Sequence, residues 1–167
     1  MDAQPMPRHS NAVDRGGEPA RGTVLAFDFG EKRVGVAVGE LELELAHPLA
    51  TITAESDKER LTAVERLVKE WSPVLFVVGL PMHLDGSDHE LAKRCRRFAE
   101  RLRGRFGRPV RLVDERLTSA TAGLALAEAG VRGRRQKDML DQVAAQQILQ
   151  AYFASRVSNP DGGHEAA

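Results

Sequence analysis

The sequence predicts an α/β protein built on a mixed five-stranded sheet with helices on both faces. Two observations predict it. Three short apolar segments follow one another before any helical pattern, as in an antiparallel meander, and the later strands alternate with amphipathic helices, which calls for parallel crossovers. A chain of 167 residues fits one domain of ordinary size with a real core.

TVLAFDF, residues 23–29, is an apolar run read as a buried strand. After the turn-like GEK comes RVGVAVGE, and LELELAHPLATIT holds the third strand. Ser56 and Glu59 form a capping box, after which Leu61, Val64, Leu67, Val68 and Trp71 recur at helical spacing until Pro73 stops the helix. VLFVVGL is a continuous apolar run of the kind found in a parallel strand covered on both faces. Beyond the loop PMHLDGS, Leu91, Cys95, Phe98 and Leu102 mark a second amphipathic helix, and VRLVDE reads as the fifth strand. Thr118 can cap a short Ala-rich helix ending near Gly130, and a last helix carries Val143, Ala145, Ile148, Leu149 and Tyr152. Residues 1–21 and 158–167 are rich in Gly, Pro and polar residues without periodicity, so both read as flexible tails on a domain spanning 22–157.

Composition removes several classes. A single cysteine, Cys95, excludes an internal disulfide, and no Cys/His cluster has zinc-ligand spacing, so a reducing, cytoplasmic setting is expected. The first residues lack the apolar core of a signal peptide, and no apolar run approaches the roughly 18 residues of a membrane span. Net charge is zero, which argues against a nucleic-acid coat of the uniformly basic kind. Basic residues nevertheless cluster between Lys93 and Arg111 and again between Arg132 and Lys137. For the Arg-rich second helix a solvated outer face is the first reading and a binding surface the second.

Three acids stand out by position. Asp28 ends the first strand among Val24, Leu25, Ala26, Phe27 and Phe29, where an unpaired carboxylate is costly. Asp114 and Glu115 end the fifth strand, and ligands of open sheets gather beyond the carboxyl ends of strands. Asp141 lies at the amino end of the apolar stripe of the last helix. No opposed cation of comparable burial is evident, so the three suggest an all-oxygen site for magnesium or manganese. Each also has a plainer reading. Asp28 could cap the turn before Gly30, Asp114 or Glu115 could cap a helix or pair with Arg116, and Asp141 could favour the positive end of its helix.

The triplet DFG does not make this a protein kinase, because the Gly-rich loop, strand lysine and catalytic loop are missing. An actin-type ATPase closes two domains over its nucleotide, and this chain has length for one.

The blocks FDFGEKRVGVAVGE, VVGLPMHLDGS, RFAERL, VDERLTSATA and LDQVAAQQILQAYF, in that order, resemble the YqgF/RuvX family, described both as Holliday junction resolvases and as pre-16S rRNA nucleases. The resemblance runs from about Val24 to Phe153. It implies a ribonuclease-H-like fold, cytoplasmic location and metal-dependent phosphodiester cleavage, with Asp28, Glu115 and Asp141 as catalytic ligands of two Mg2+ or Mn2+ ions. Asp114 is the reserve for Glu115, since strand alternation points the two to opposite faces, and Asp138 could assist. Lys32, Arg33 and Arg116 flank these acids, and Arg134, Arg135 and Lys137 lead to Asp141; all six are candidates for phosphate contacts. His83 stands where the family more often has Asn, and reads equally as a solvated loop residue.

With one Trp and one Tyr, a stacking platform for single strands is poorly supported, so structured nucleic acid is the expected partner, either a four-way DNA junction or an rRNA precursor. Symmetric resolution of a junction calls for a homodimer, with Leu41, Leu43 and Leu45 or the helix near Ala120 to Ala129 as an interface. The alternative from another class is a binding factor of transcription or ribosome assembly that has the fold without catalysis.

Overall fold

The computed structural model describes residues 18–81, 89–115 and 133–158. Within them lie β1 (Thr23–Phe29), β2 (Arg33–Glu40), β3 (Leu45–Thr53), α1 (Asp57–Trp71), β4 (Leu75–Leu80), α2 (His89–Phe106), β5 (Val110–Asp114) and α3 (Gly133–Ser158). The sheet order is β3-β2-β1-β4-β5. β1, β2 and β3 form the antiparallel meander, and β4 joins β1 and β5 in parallel. The expected helix from Thr118 to near Gly130 lies outside the described residues.

The third strand starts at Leu45, because residues 41–44 turn back on the end of β2. There Glu44 N–H donates to Glu40 O at 2.8 Å, with Glu44 itself at φ 54°. Leu41 is buried under this turn, whereas Leu43 and Leu45 face solvent.

The sheet separates two cores. Leu25, Phe27, Phe29, Phe76 and Val78 pack against Val64 of α1 and Phe98 and Leu102 of α2. Val24, Ala26, Leu75 and Val77 pack on the opposite face against Ala145, Ile148 and Leu149 of α3. All six residues of β4 are buried, as its continuous apolar run requires.

Capping chemistry sets α1. The Ser56 side chain accepts from Glu59 N–H at 3.2 Å, and the helix closes on Ser72 in the left-handed region just before Pro73. We expect Ser56→Ala to cost about 1 kcal/mol of stability, read as a lower urea midpoint at unchanged slope.

The arginines of α2 are largely engaged within the fold. Arg101 pairs with Asp57, Arg105 with Glu65 at 2.6 Å, and Arg94 with Glu31 at 3.7 Å. Much of the basic run thus faces acids of α1 and of the β1–β2 turn, in keeping with a solvated outer face. At the amino end, Glu18 pairs with Arg111 of β5 and accepts from the Tyr152 hydroxyl of α3 at 2.9 Å. The segment read as a tail is therefore bound to the domain from Glu18 onward.

Candidate active site

Strand alternation decides which acids meet. On β1, Val24 and Ala26 face α3, so Asp28 does too, at the carboxyl end of the central strand. On β5, Val113 faces α3 while Val110 belongs to the other core. Glu115, two residues beyond Val113, joins Asp28, and Asp114 points to the opposite face. The choice between Asp114 and Glu115 follows from that register.

Two strand glycines make room. Gly35 is the β2 partner of Asp28, and a Cβ there would lie 1.9 Å from the backbone oxygen of Asp141. The α3 backbone rests directly on β2 at this point, which only glycine permits. On β4, between β1 and β5, a Cβ at Gly79 would lie 3.1 Å from Glu115 Oε1 and 2.3 Å from Ile148 Cδ1. The missing side chain opens a passage for the Glu115 carboxyl across β4 toward Asp28. Neither glycine was singled out from the sequence, although a glycine inside an apolar strand is the usual sign of a close approach.

Asp28 and Glu115 share a side-chain hydrogen bond. Burial first, then that bond, then the charges of Glu115 and Asp141 push the Asp28 carboxyl from its ordinary 3.8 up to about 8. Two carboxyl oxygens in hydrogen-bond contact need a proton between them, and the raised Asp28 carboxyl is the group that keeps one at neutral pH.

Asp141 has its own cation. Arg33 Nε donates to Asp141 Oδ2 at 2.7 Å, with both side chains about a quarter exposed. Arg33 was expected on phosphate, and Asp141 without a comparably buried partner; the structure joins the two. The pair spans 108 positions, which is why local spacing did not reveal it. Asp141 also lies two turns inside α3, beyond the reach of the positive helix end, so the dipole reading of this acid falls away.

Of the other candidates, Lys32 is exposed in the β1–β2 turn, and Arg135 and Lys137 are exposed near the start of α3. Arg116, His83 and the side chain of Arg134 lie outside the described residues. Asp138 contributes its backbone oxygen, which accepts from Thr51 Oγ1 at 2.9 Å. Gln142 and Gln146, one turn apart, donate to Thr51 Oγ1 and Ala46 O of β3 and so hold α3 along the outer strand. Beneath the acids, the Cys95 thiol is buried and donates to Gly79 O at 3.6 Å. Burial, with the charges of Glu115 and Asp28, pushes it up to about 12, which makes it an inert packing group.

Three oxygen donors from β1, β5 and α3, one pair of them held together by a proton, suit a hard divalent cation. Among the described residues, however, no three Asp, Glu, His or Cys side chains already converge closely enough to hold an ion together.

A family model described as Holliday junction resolvase, RuvX, matches residues 22–155. The chain belongs to the RuvX family. A relative from Nitrosospira multiformis, named "Putative pre-16S rRNA nuclease", is 59% identical over 144 residues, covering 86% of this chain and 95% of its own. A relative of the same name from Neisseria gonorrhoeae is 52% identical over 145 residues, covering 87% of this chain and 96% of its own. Among solved structures, Thermus thermophilus RuvC in complex with a Holliday junction substrate aligns with a TM-score of 0.53 at 16% identity, over 81% of this chain and 96% of that one. At that identity the likeness concerns the fold alone, and it supports the ribonuclease-H-like α/β architecture of this RuvX protein.

Proposed function

We propose that this RuvX protein is a divalent-metal-dependent endonuclease acting on structured nucleic acid, with an rRNA precursor as its substrate. The observation that carries the reading is the half-buried Asp28–Glu115 carboxyl pair at the end of the central strand, with Asp141 close enough to act on it electrostatically. A nucleic-acid binder has no need of such a costly cluster; a phosphodiesterase does.

Asp28, Glu115 and Asp141 would hold Mg2+ or Mn2+. When bound, such an ion supplies hydroxide from water near neutral pH and offsets charge on the leaving oxygen. The chain's own part is to orient the acids, through the strand register and through the close approaches at Gly35 and Gly79. Lys32, Arg135 and Lys137 offer exposed cations for backbone phosphates, contacts that position a substrate without reading its sequence. The names of the relatives favour rRNA, and the family description favours a DNA junction.

The test sets the full chain with Mg2+ or Mn2+ against a labelled precursor of the 16S rRNA leader and a four-way DNA junction, with Glu115→Gln as control. Cleavage of the RNA, lost in the variant, supports the proposal. Paired nicks in the junction alone would move the substrate to DNA and call for a dimer. Binding without variant-sensitive cleavage of either would overturn catalysis in favour of the binding-factor reading.

A further inference from the structure

Arg33 is bonded to one of the acids of the site. Its Nε donates to Asp141 Oδ2, and the Asp141 carboxylate makes no other hydrogen bond among the described residues. The remaining guanidinium nitrogens of Arg33 likewise make none there, and the side chain is about a quarter exposed. Asp28 and Glu115 meanwhile bond to each other, and no three acids converge as a ligand set.

Arg33 and Gly35 lie on the same face of β2, two residues apart. The contact of Asp141 with Gly35, the β2 partner of Asp28, presses α3 against that face; the Asp141 carboxylate is bonded to Arg33 and acts on Asp28 through its charge. A carboxylate held by a guanidinium on one side is less available to a cation on the other, because both compete for the same charge.

We propose that Arg33 is a positioning residue that latches Asp141 away from the Asp28–Glu115 pair, and that a divalent cation binds fully only as this latch yields. The inference rests on the nuclease reading for what the cation does, but not for whether the latch exists. When the latch opens, the guanidinium is released at the mouth of the site, where its free nitrogens suit a phosphate oxygen. Cation loading and phosphate capture by Arg33 are thereby coupled through one ion pair, and linkage makes that coupling reciprocal.

The experiment measures Mn2+ binding to the whole protein without nucleic acid, by titration calorimetry and by loss of the free-ion paramagnetic signal. Arg33→Met keeps the apolar stem and removes the guanidinium; Arg33→Lys keeps the charge. Arg33→Met should bind Mn2+ about tenfold more tightly than the wild type, the scale on which partners of ligating carboxylates act. Arg33→Lys should stay within about threefold of the wild type, and the gain from Arg33→Met should vanish in an Asp141→Asn background. A merely structural role for Arg33 would not depend on Asp141 in this way. Unchanged or weaker binding by Arg33→Met overturns the latch and leaves the nuclease reading untouched. Absence of Mn2+ binding in both proteins overturns the latch together with the metal requirement. Tightening without any cleavage in the separate substrate assay supports the latch and removes the nuclease reading.

Discussion

Asp28→Asn is expected to abolish cleavage, by roughly a thousandfold or more, while making the metal-free protein more stable at alkaline pH. Both effects have one cause. Asparagine keeps the shape and can donate to the Glu115 carboxylate, so the pair no longer needs a proton, but it is a poor ligand for a hard cation. Asp28 in the folded protein titrates at about 8 against an ordinary 3.8. Between those values the folded protein keeps a proton that the unfolded chain has released. The stability this proton supplies is complete below the lower value and is lost as pH rises through the upper one. The wild type should therefore lose stability from about pH 4 to about pH 8, by an amount on the order of a few kcal/mol, and the variant should not. Urea unfolding of both proteins across that range, at low ionic strength and with chelator, measures it. A constant difference between them at all pH values would show that the Asp28–Glu115 pair carries no excess proton.

Gly35→Ala is the second large effect. In an ordinary strand, alanine in place of glycine is neutral or favourable, because glycine loses more backbone freedom on folding. At Gly35 the added carbon would lie 1.9 Å from Asp141 O and 2.3 Å from Asp141 C, both backbone atoms that no rotamer change can move. The clash outweighs the entropy gain, and we expect a loss of about 3 kcal/mol or more as α3 lifts from β2. Cleavage should fall as well, since Asp141 rides on the displaced segment. Gly104→Ala in α2 is the matched control. It meets no atom within 4 Å and lies inside a helix, so it should stabilise by up to about 1 kcal/mol. Urea midpoints of the two variants should thus move in opposite directions. A Gly35→Ala protein as stable as the wild type would mean that α3 does not press on β2.

The sequence by itself determined the element order, because each element carries a local signature. The capping box at Ser56 and Glu59, the apolar run of β4 and the spacing of Cys95, Phe98 and Leu102 in α2 each express the period of their own structure. It also singled out Asp28 and Asp141, since an acid within an apolar strand or stripe departs from the local pattern. What only the tertiary structure decided were relations across the sheet. Whether Asp114 or Glu115 faces Asp28 depends on which face of β5 meets α3, and the alternation within VRLVDE allows either. That Arg33 serves Asp141, that α3 rests on Gly35 and Glu115 reaches past Gly79, and that Arg101 and Arg105 of α2 pair with acids of α1 all depend on residues distant in the chain. Periodicity acts over a few residues, whereas charge pairing and close packing are settled only where separate elements meet.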